Sequence, residues 1–258
     1  MIVDIAYTQH LGRNPIQQDA LWNSREIIQQ RDVPVNGLSF DGTHAGRLVV
    51  AVADGVAISP MPHKASKFVL EALACEMEEG AALDARTIRR IHGRLCDVLA
   101  KGKSFGSATT LAAVAYPSQA AGCSVISVGD SRVYRIAADG AWQPLTRDHT
   151  LLNAMIERGE ADAETEYASL YNALDSCLIA DDEETEFRIH SEHAPFLEGD
   201  SILLCTDGVH DTLGDAKLQK LTDLGLTPCA QVDLWRKAIL AAGAPDNFSI
   251  ILLRRSAP

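Results

Sequence analysis

Along the chain, apolar residues gather into short runs that break at turn residues, while two longer stretches repeat at helical spacing. The runs Ile2 to Ala6, Arg47 to Ala53, Thr109 to Tyr116, Cys123 to Val128, Arg132 to Ile136, Glu186 to His190, Ser201 to Cys205 and Phe248 to Leu253 read as strands. Each is short and bounded by turn signals. Many are joined by NG, DG or GD, which favours antiparallel neighbours. Between the second and third runs, Phe68, Val69, Ala72 and Leu73 make one helical face, and Ile88, Ile91, Leu95 and Val98 make another. Further helices are expected over Thr150 to Arg158, Ala216 to Asp223 and Cys229 to Ala241, with Leu170 to Leu174 left open. Strands grouped together and helices grouped in pairs predict an α+β sandwich of antiparallel sheets covered by helices.

Composition narrows the function classes. Of 258 residues, 47 % are hydrophobic, enough for a substantial core. The formal net charge of -12 argues against a nucleic-acid binder, which needs clustered Lys and Arg, and against anionic membrane surfaces. The start MIVDIAYTQH lacks the basic and apolar regions of a signal peptide, and no apolar stretch reaches the roughly 18 residues of a membrane helix. A cytoplasmic protein is expected, and the 6 cysteines, none in a C-x-x-C pair, read as reduced structural thiols. No repeat or low-complexity linker interrupts residues 1–258, so one domain is expected.

Chemistry enters at the ends of the strands. Asp139-Gly140 and Asp41-Gly42 read as ordinary turns. By contrast, Asp54-Gly55 and Asp207-Gly208 each follow an apolar strand, Asp130 follows Cys123 to Val128, and Asp246 just precedes the terminal strand. A carboxylate at the tip of a buried strand is held rigidly, and several such tips suggest convergence. Oxygen donors of this kind suit hard divalent cations, which take carboxylates, a carbonyl and waters.

In order, the blocks GRNPIQQDA, VVAVADGVA, GSATTLAAV, VGDSRVYR, LTRDHTLL, GDSILLCTDGVHDTL and PDNFSIILL resemble the metal-dependent serine/threonine protein phosphatases of type 2C, in their compact bacterial form. The resemblance runs from about Tyr7 to Leu253. It implies a four-layer sandwich, two central antiparallel β-sheets flanked by pairs of α-helices, with Mn²⁺ or Mg²⁺, two per site, in a cleft at one end. By resemblance Asp54 bridges the two metals, the Gly55 carbonyl binds one of them, and Asp207 and Asp246 bind the other. Gln18 and Asp19 stand behind these ligands and orient metal-bound water, while Asp130 and Asp211 match a third, weaker metal site. Asp19, Asp54, Asp207 and Asp246 thus form the implied catalytic set. Two cations roughly 3.5–4 Å apart can share and acidify a water and aim it in line at phosphorus. The expected substrates are phosphoserine and phosphothreonine in proteins modified by a serine/threonine kinase, and the expected state is a monomer that meets neither nucleic acid nor membrane.

The chain departs from the family pattern in places. Asn14 stands where an Arg usually clamps the substrate phosphate, so either Arg13 takes that role from a rearranged turn or binding rests on the metals alone. Val56 replaces a His proposed as general acid, with His63 a conceivable substitute. His210 is expected beside the ligands rather than among them, since these metals favour oxygen. Gln18 lacks the charge of the more usual Glu, and the acidic segment 156–171 falls where the family carries a variable flap. A haloacid-dehalogenase-like mechanism needs a nucleophilic Asp where this chain has Cys205 or Val52, and no Cys is followed six positions later by Arg. Covalent catalysis is therefore disfavoured. The alternative to an enzyme is a pseudophosphatase that binds phosphoproteins without turnover.

Overall fold

Parity along the strands decides the layering. The computed structural model describes residues 2–42, 46–117, 122–162, 173–183 and 186–256. In the strand Arg47–Ala53, Leu48, Val50 and Val52 face one way and Val49, Ala51 and Ala53 the other, and both sets are buried. The first set meets Val3, Ile5, Ile202, Leu204 and Ile251 in the space between two sheets. The second packs against Val69, Leu73, Ile88 and Ile91 of the helices Pro62–Glu78 and Ala85–Leu99. On the opposite sheet Ala6, Leu203, Ile250 and Leu252 turn outward onto Val209, Leu218 and Trp235, which belong to the helices Asp207–Leu213, Asp215–Lys220 and Pro228–Ala241. The result is helix, sheet, sheet, helix. Strands covered on both faces have no polar side, which explains their unbroken apolar runs.

One sheet has the order Trp142–Pro144, Arg132–Ile136, Ser201–Cys205, Phe248–Ser256, Ile2–His10, Asp32–Asp41. The other runs His190–Pro195, Gly122–Val128, Leu111–Pro117, Arg47–Ala53, Ala20–Trp22, Ile27–Ile28, and every ladder is antiparallel. A small pair, Ala108–Thr109 with Leu178–Ile179, stands apart. Asp84, Thr150 and Thr227 cap their helices by accepting from the N–H of Thr87, Asn153 and Ala230. Among the described residues no helix is long and apolar enough to cross a membrane.

Several expectations shift. The strand placed at Glu186 to His190 instead spans His190–Pro195, where pairing with Gly122–Ser127 begins. Phe187 is buried against His92 of a helix rather than held in a ladder. Asn36-Gly37, a turn signal in the sequence, lies inside the edge strand Asp32–Asp41, which also tolerates Pro34 at a register shift. Val98, expected on the buried face of its helix, is 44 % exposed, and Leu99 takes the place one full turn after Leu95. Of Leu170 to Leu174, residues 170–172 lie outside the described residues, as does 163–171 of the expected flap; Leu174 bridges to Thr150.

The layering is tested by a pair of truncations on one strand. Val49→Ala removes methyls from the helix-facing core and Val50→Ala from the inter-sheet core. Each should cost about 1–3 kcal/mol in urea unfolding, whereas a strand with one solvent face would leave one of the pair near neutral.

Candidate active site

Four carboxylates reach one end of the sandwich because each sits at a strand boundary. Asp54 follows Arg47–Ala53, Asp130 follows Gly122–Val128, Asp207 follows Ser201–Cys205, and Asp246 precedes Phe248–Ser256. All four line one cleft of about 150 Å³, with Gln18, Gly55 and Val56 in the same walls and, among the described residues, no Lys, Arg or His. The main chain of Asp54 is pinned: its carbonyl accepts from Thr110 N–H at 2.8 Å and Thr109 Oγ1 at 2.8 Å, and its N–H donates to Thr110 Oγ1 at 3.0 Å.

At Asp207 the strand Ser201–Cys205 runs almost directly into a helix. Asp207-Gly208 opens the helix Asp207–Leu213. A Cβ on Gly208 would stand 1.9 Å from the Asn247 carbonyl oxygen, so only glycine lets this helix start press against the loop that delivers Asp246. Gly12 meets that loop from the other side, with φ +60 and Cβ space occupied by the Asp246 carbonyl at 2.0 Å.

Behind the cleft, Asp19 is fully buried. Its Oδ2 accepts from Thr206 Oγ1 and Ser249 Oγ, both at 2.8 Å, tying it to the chain beside Asp207 and Asp246. Asp19 Oδ1 and Asp207 Oδ1 are buried without a hydrogen-bond partner in the protein. Asn247, which sequence reasoning did not single out, joins the loops: its N–H donates to Asp246 Oδ1 (2.7 Å), its Nδ2 to the Leu11 carbonyl (2.6 Å), and its Oδ1 accepts from Gln18 N–H (2.7 Å). Its only sequence signal was adjacency to Asp246.

Other expected residues scatter. Arg13 does not reach the cleft; its Nε donates to the Gly243 carbonyl at 2.8 Å, just past the helix Pro228–Ala241. Asn14 Nδ2 instead donates to Asp246 Oδ1. His63 lies on the helix Pro62–Glu78 in a separate surface groove with Lys64 and Lys67. His210 is buried, its Nε2 at the Asp130 carbonyl (3.2 Å) and its Nδ1 at Asp211 Oδ1 (3.0 Å). Asp130 and Asp211 also share a neighbouring hollow of about 220 Å³ with Arg132. That guanidinium is engaged by both oxygens of Asp148 and by Asp215.

A family model described as protein phosphatase 2C matches residues 37–239. The chain belongs to the protein phosphatase 2C family. It is 28 % identical over 152 residues to the serine/threonine phosphatase stp of Listeria innocua, covering 58 % of each chain. It is 26 % identical over 219 residues to the serine/threonine protein phosphatase PstP of Mycobacterium tuberculosis, covering 82 % of this chain and 41 % of the relative. The matches thus span about half the length of these curated relatives. A solved structure of the PstP catalytic domain in complex with 2 manganese ions superposes with a TM-score of 0.72 at 21 % identity over 100 % of both chains, a likeness of fold.

In this member of the 2C family, the carboxylates are uncompensated. Burial, followed by the charges of Asp207 and Asp19, pushes Asp54 well above the usual carboxylate range. Asp19 is raised to about 7 by burial, opposed by its hydrogen bonds from Ser249 and Thr206 and reinforced by the charge of Asp207. Asp130 is raised to about 7 by burial and then Asp207, and Asp246 is raised by the same causes. Asp211 is lowered by its contact with His210. Among the described residues, no group of three or more His, Cys, Asp or Glu side chains is drawn together closely enough to hold an ion as it stands. The all-oxygen donor set and the partnerless oxygens of Asp19 and Asp207 nevertheless fit hard divalent cations.

This predicts an unusual pH response for chelated protein. A carboxylate whose pKa is about 7 folded, against 3.8 as its ordinary value, contributes stability that is present at low pH and lost as pH rises through 7. Melting temperature should therefore increase from pH 7.5 to pH 5.5, and Asp19→Asn should flatten the rise. His149 opposes the trend, since burial, then Arg188 and His190, lower it to about 4; His149→Gln should steepen the rise. A melting temperature that falls on acidification in the His149→Gln background would show that the cleft carboxylates are not under charge stress.

Proposed function

We propose that this chain hydrolyses phosphoserine and phosphothreonine in proteins, with Mn²⁺ or Mg²⁺ held between Asp54, Asp207 and Asp246. The observation that carries the reading is the convergence of these carboxylates in a cleft that has no cation in its walls. Asp54 would bridge two ions, the Gly55 carbonyl would complete one site, and Asp207 with Asp246 would hold the other. Asp130 and Asp211 would take a third, weaker ion. When bound, such a pair of ions supplies Lewis acidity and lowers the pKa of water towards neutrality. The manganese found in the PstP structure agrees with this choice of cation.

The chain's own groups orient the rest. Thr206 and Ser249 fix one oxygen of Asp19, leaving the other to accept a hydrogen bond from water. Gln18 offers the same help without charge. Val56 leaves no imidazole in the cleft, so water protonates the leaving alcohol. With Arg13 engaged at Gly243 and Asn14 holding Asp246, attraction of the phosphate rests on the ions. The protein acts as one catalytic domain, monomeric and cytoplasmic, on substrates of a serine/threonine kinase.

Phosphate release from phosphoserine and phosphothreonine peptides should require Mn²⁺ or Mg²⁺ and stop in chelator. Asp54→Asn or Asp246→Asn should abolish it, whereas Asp19→Asn should lower it by roughly 10- to 100-fold, the usual scale for a group behind the ligands. Full activity in chelator, or normal turnover of Asp246→Asn at saturating metal, would overturn the assignment. Undetectable hydrolysis in wild-type protein with either metal would favour phosphoprotein binding without turnover.

The neutral Asn14 gives a separate kinetic test. Asn14→Arg should lower KM for a phosphopeptide several-fold by adding a bidentate guanidinium beside the ions. Arg13→Ala should leave KM within about twofold, since Arg13 is held at the Gly243 carbonyl outside the cleft. A large rise in KM for Arg13→Ala would return Arg13 to the phosphate.

A further inference from the structure

Beside the carboxylate cleft lies a second hollow of about 510 Å³, and the two share Val56, Ala57 and Leu174 as a common ridge. Among the described residues no charged side chain lines it, and its surface is formed mainly by apolar atoms of residues such as Ile58, Pro60 and Ile179. Ile58, on its wall, is 98 % exposed and adds to one continuous apolar surface.

The hollow is built rigidly. Val56 N–H donates to the Ala108 carbonyl (3.0 Å), Ala108 N–H to Ser59 Oγ (3.0 Å), and Ser59 N–H to the Val56 carbonyl (2.8 Å). The floor is the two-stranded ladder Ala108–Thr109 with Leu178–Ile179. The far wall is fixed by the Thr150–Leu174 bridge and by Leu151 N–H on the Ala173 carbonyl at 3.0 Å. These bonds satisfy backbone groups internally, so the surface left facing outward is apolar and preformed. Burial also pushes the Cys177 thiol up to about 12, which keeps that wall uncharged.

We infer that this hollow is a specificity site that receives an apolar side chain flanking the phosphorylated residue of the substrate. The inference rests on the phosphatase reading above and adds the sequence class of the substrate. Two features choose this occupant. The hollow is continuous with the cleft across a single ridge, and an extended peptide advances about 3.3 Å per residue. A side chain within about three positions of the phosphoresidue therefore reaches it. In addition, a protein of net charge -12 whose cleft presents carboxylates disfavours acidic flanks, whereas an apolar flank meets no such repulsion.

The experiment compares phosphothreonine peptides in Mn²⁺, each with Leu or Phe scanned through the three positions on either side against an Ala background, with p-nitrophenyl phosphate as a substrate too small to reach the hollow. At one or two positions the apolar residue should raise kcat/KM about tenfold, the factor that about 1.4 kcal/mol of apolar burial supplies. Ile58→Glu and Ala173→Glu, both at exposed positions outside the cleft, should reduce that preference to within twofold and leave p-nitrophenyl phosphate turnover unchanged. Turnover of p-nitrophenyl phosphate with no flank preference anywhere would overturn this inference and leave the phosphatase reading intact. No flank preference, together with a wild-type dimer that Ile58→Glu converts to monomer in light scattering, would assign the hollow to a second copy of the chain instead. Inactivity towards every substrate would remove the phosphatase reading, and this inference with it.

Discussion

Mutual repulsion among half-buried carboxylates is the constraint around which the rest of this protein is arranged. Asp54, Asp130, Asp207 and Asp246 stand in one small cleft with, among the described residues, no basic side chain in its walls. Like charges at such range disfavour one another strongly when partly removed from water. The guanidinium of Arg132, in the neighbouring hollow, is already engaged by Asp148 and Asp215. An unbraced loop would relieve the strain by swinging its carboxylate into solvent. Here each carboxylate is attached to a strand whose two faces are buried, so the sandwich bears the electrostatic cost.

The bracing is mostly made by neutral groups. Asn247 links the loops carrying Leu11, Gln18 and Asp246, and the hydroxyls of Thr206 and Ser249 converge on Asp19. Thr109 and Thr110 hold the main chain of Asp54. Neutral donors stabilise ionised oxygens without filling the positions that a cation would take. Packing completes the work, because the helix starting at Asp207 and the loop at Asn247 approach so closely that Gly208 admits no side chain. The same economy explains the departures from the family pattern: Asn14 braces Asp246 by hydrogen bond, and Arg13 closes a helix end on the Gly243 carbonyl.

The apolar hollow next to the cleft extends this division of labour. Under the proposed function, ions and carboxylates would be indifferent to the residues on either side of a phosphate, and selection among substrates would come from the neighbouring surface. In this chain that surface is preformed by the Val56 to Pro60 loop and the short ladder below it.

Central strands, the principal helices and the strand-tip carboxylates were legible in the sequence because local rules govern them. Double-sided burial demands unbroken apolar runs such as Leu48 to Ala53, helical burial demands the spacing of Ile88, Ile91 and Leu95, and an Asp at the end of a buried run stands out against that background. Less was legible where partners far along the chain decide the outcome. Asn36-Gly37 entered an edge strand because Ile2–His10 offered a ladder. Gly208 had to be glycine because Asn247 lay against it, and pairing started at His190 opposite Ser127. Arg13 and Asn14 are adjacent, so spacing alone could not say which one faces the cleft; the Gly243 carbonyl and Asp246, more than 200 residues away, settled it. The sequence by itself determined which residues carry charge and which segments must be buried, since both are properties of side chains and their local order. Tertiary structure alone decided which carboxylates share a cleft and which neutral groups hold them there, because distances across the chain arise only when the sheets close on one another.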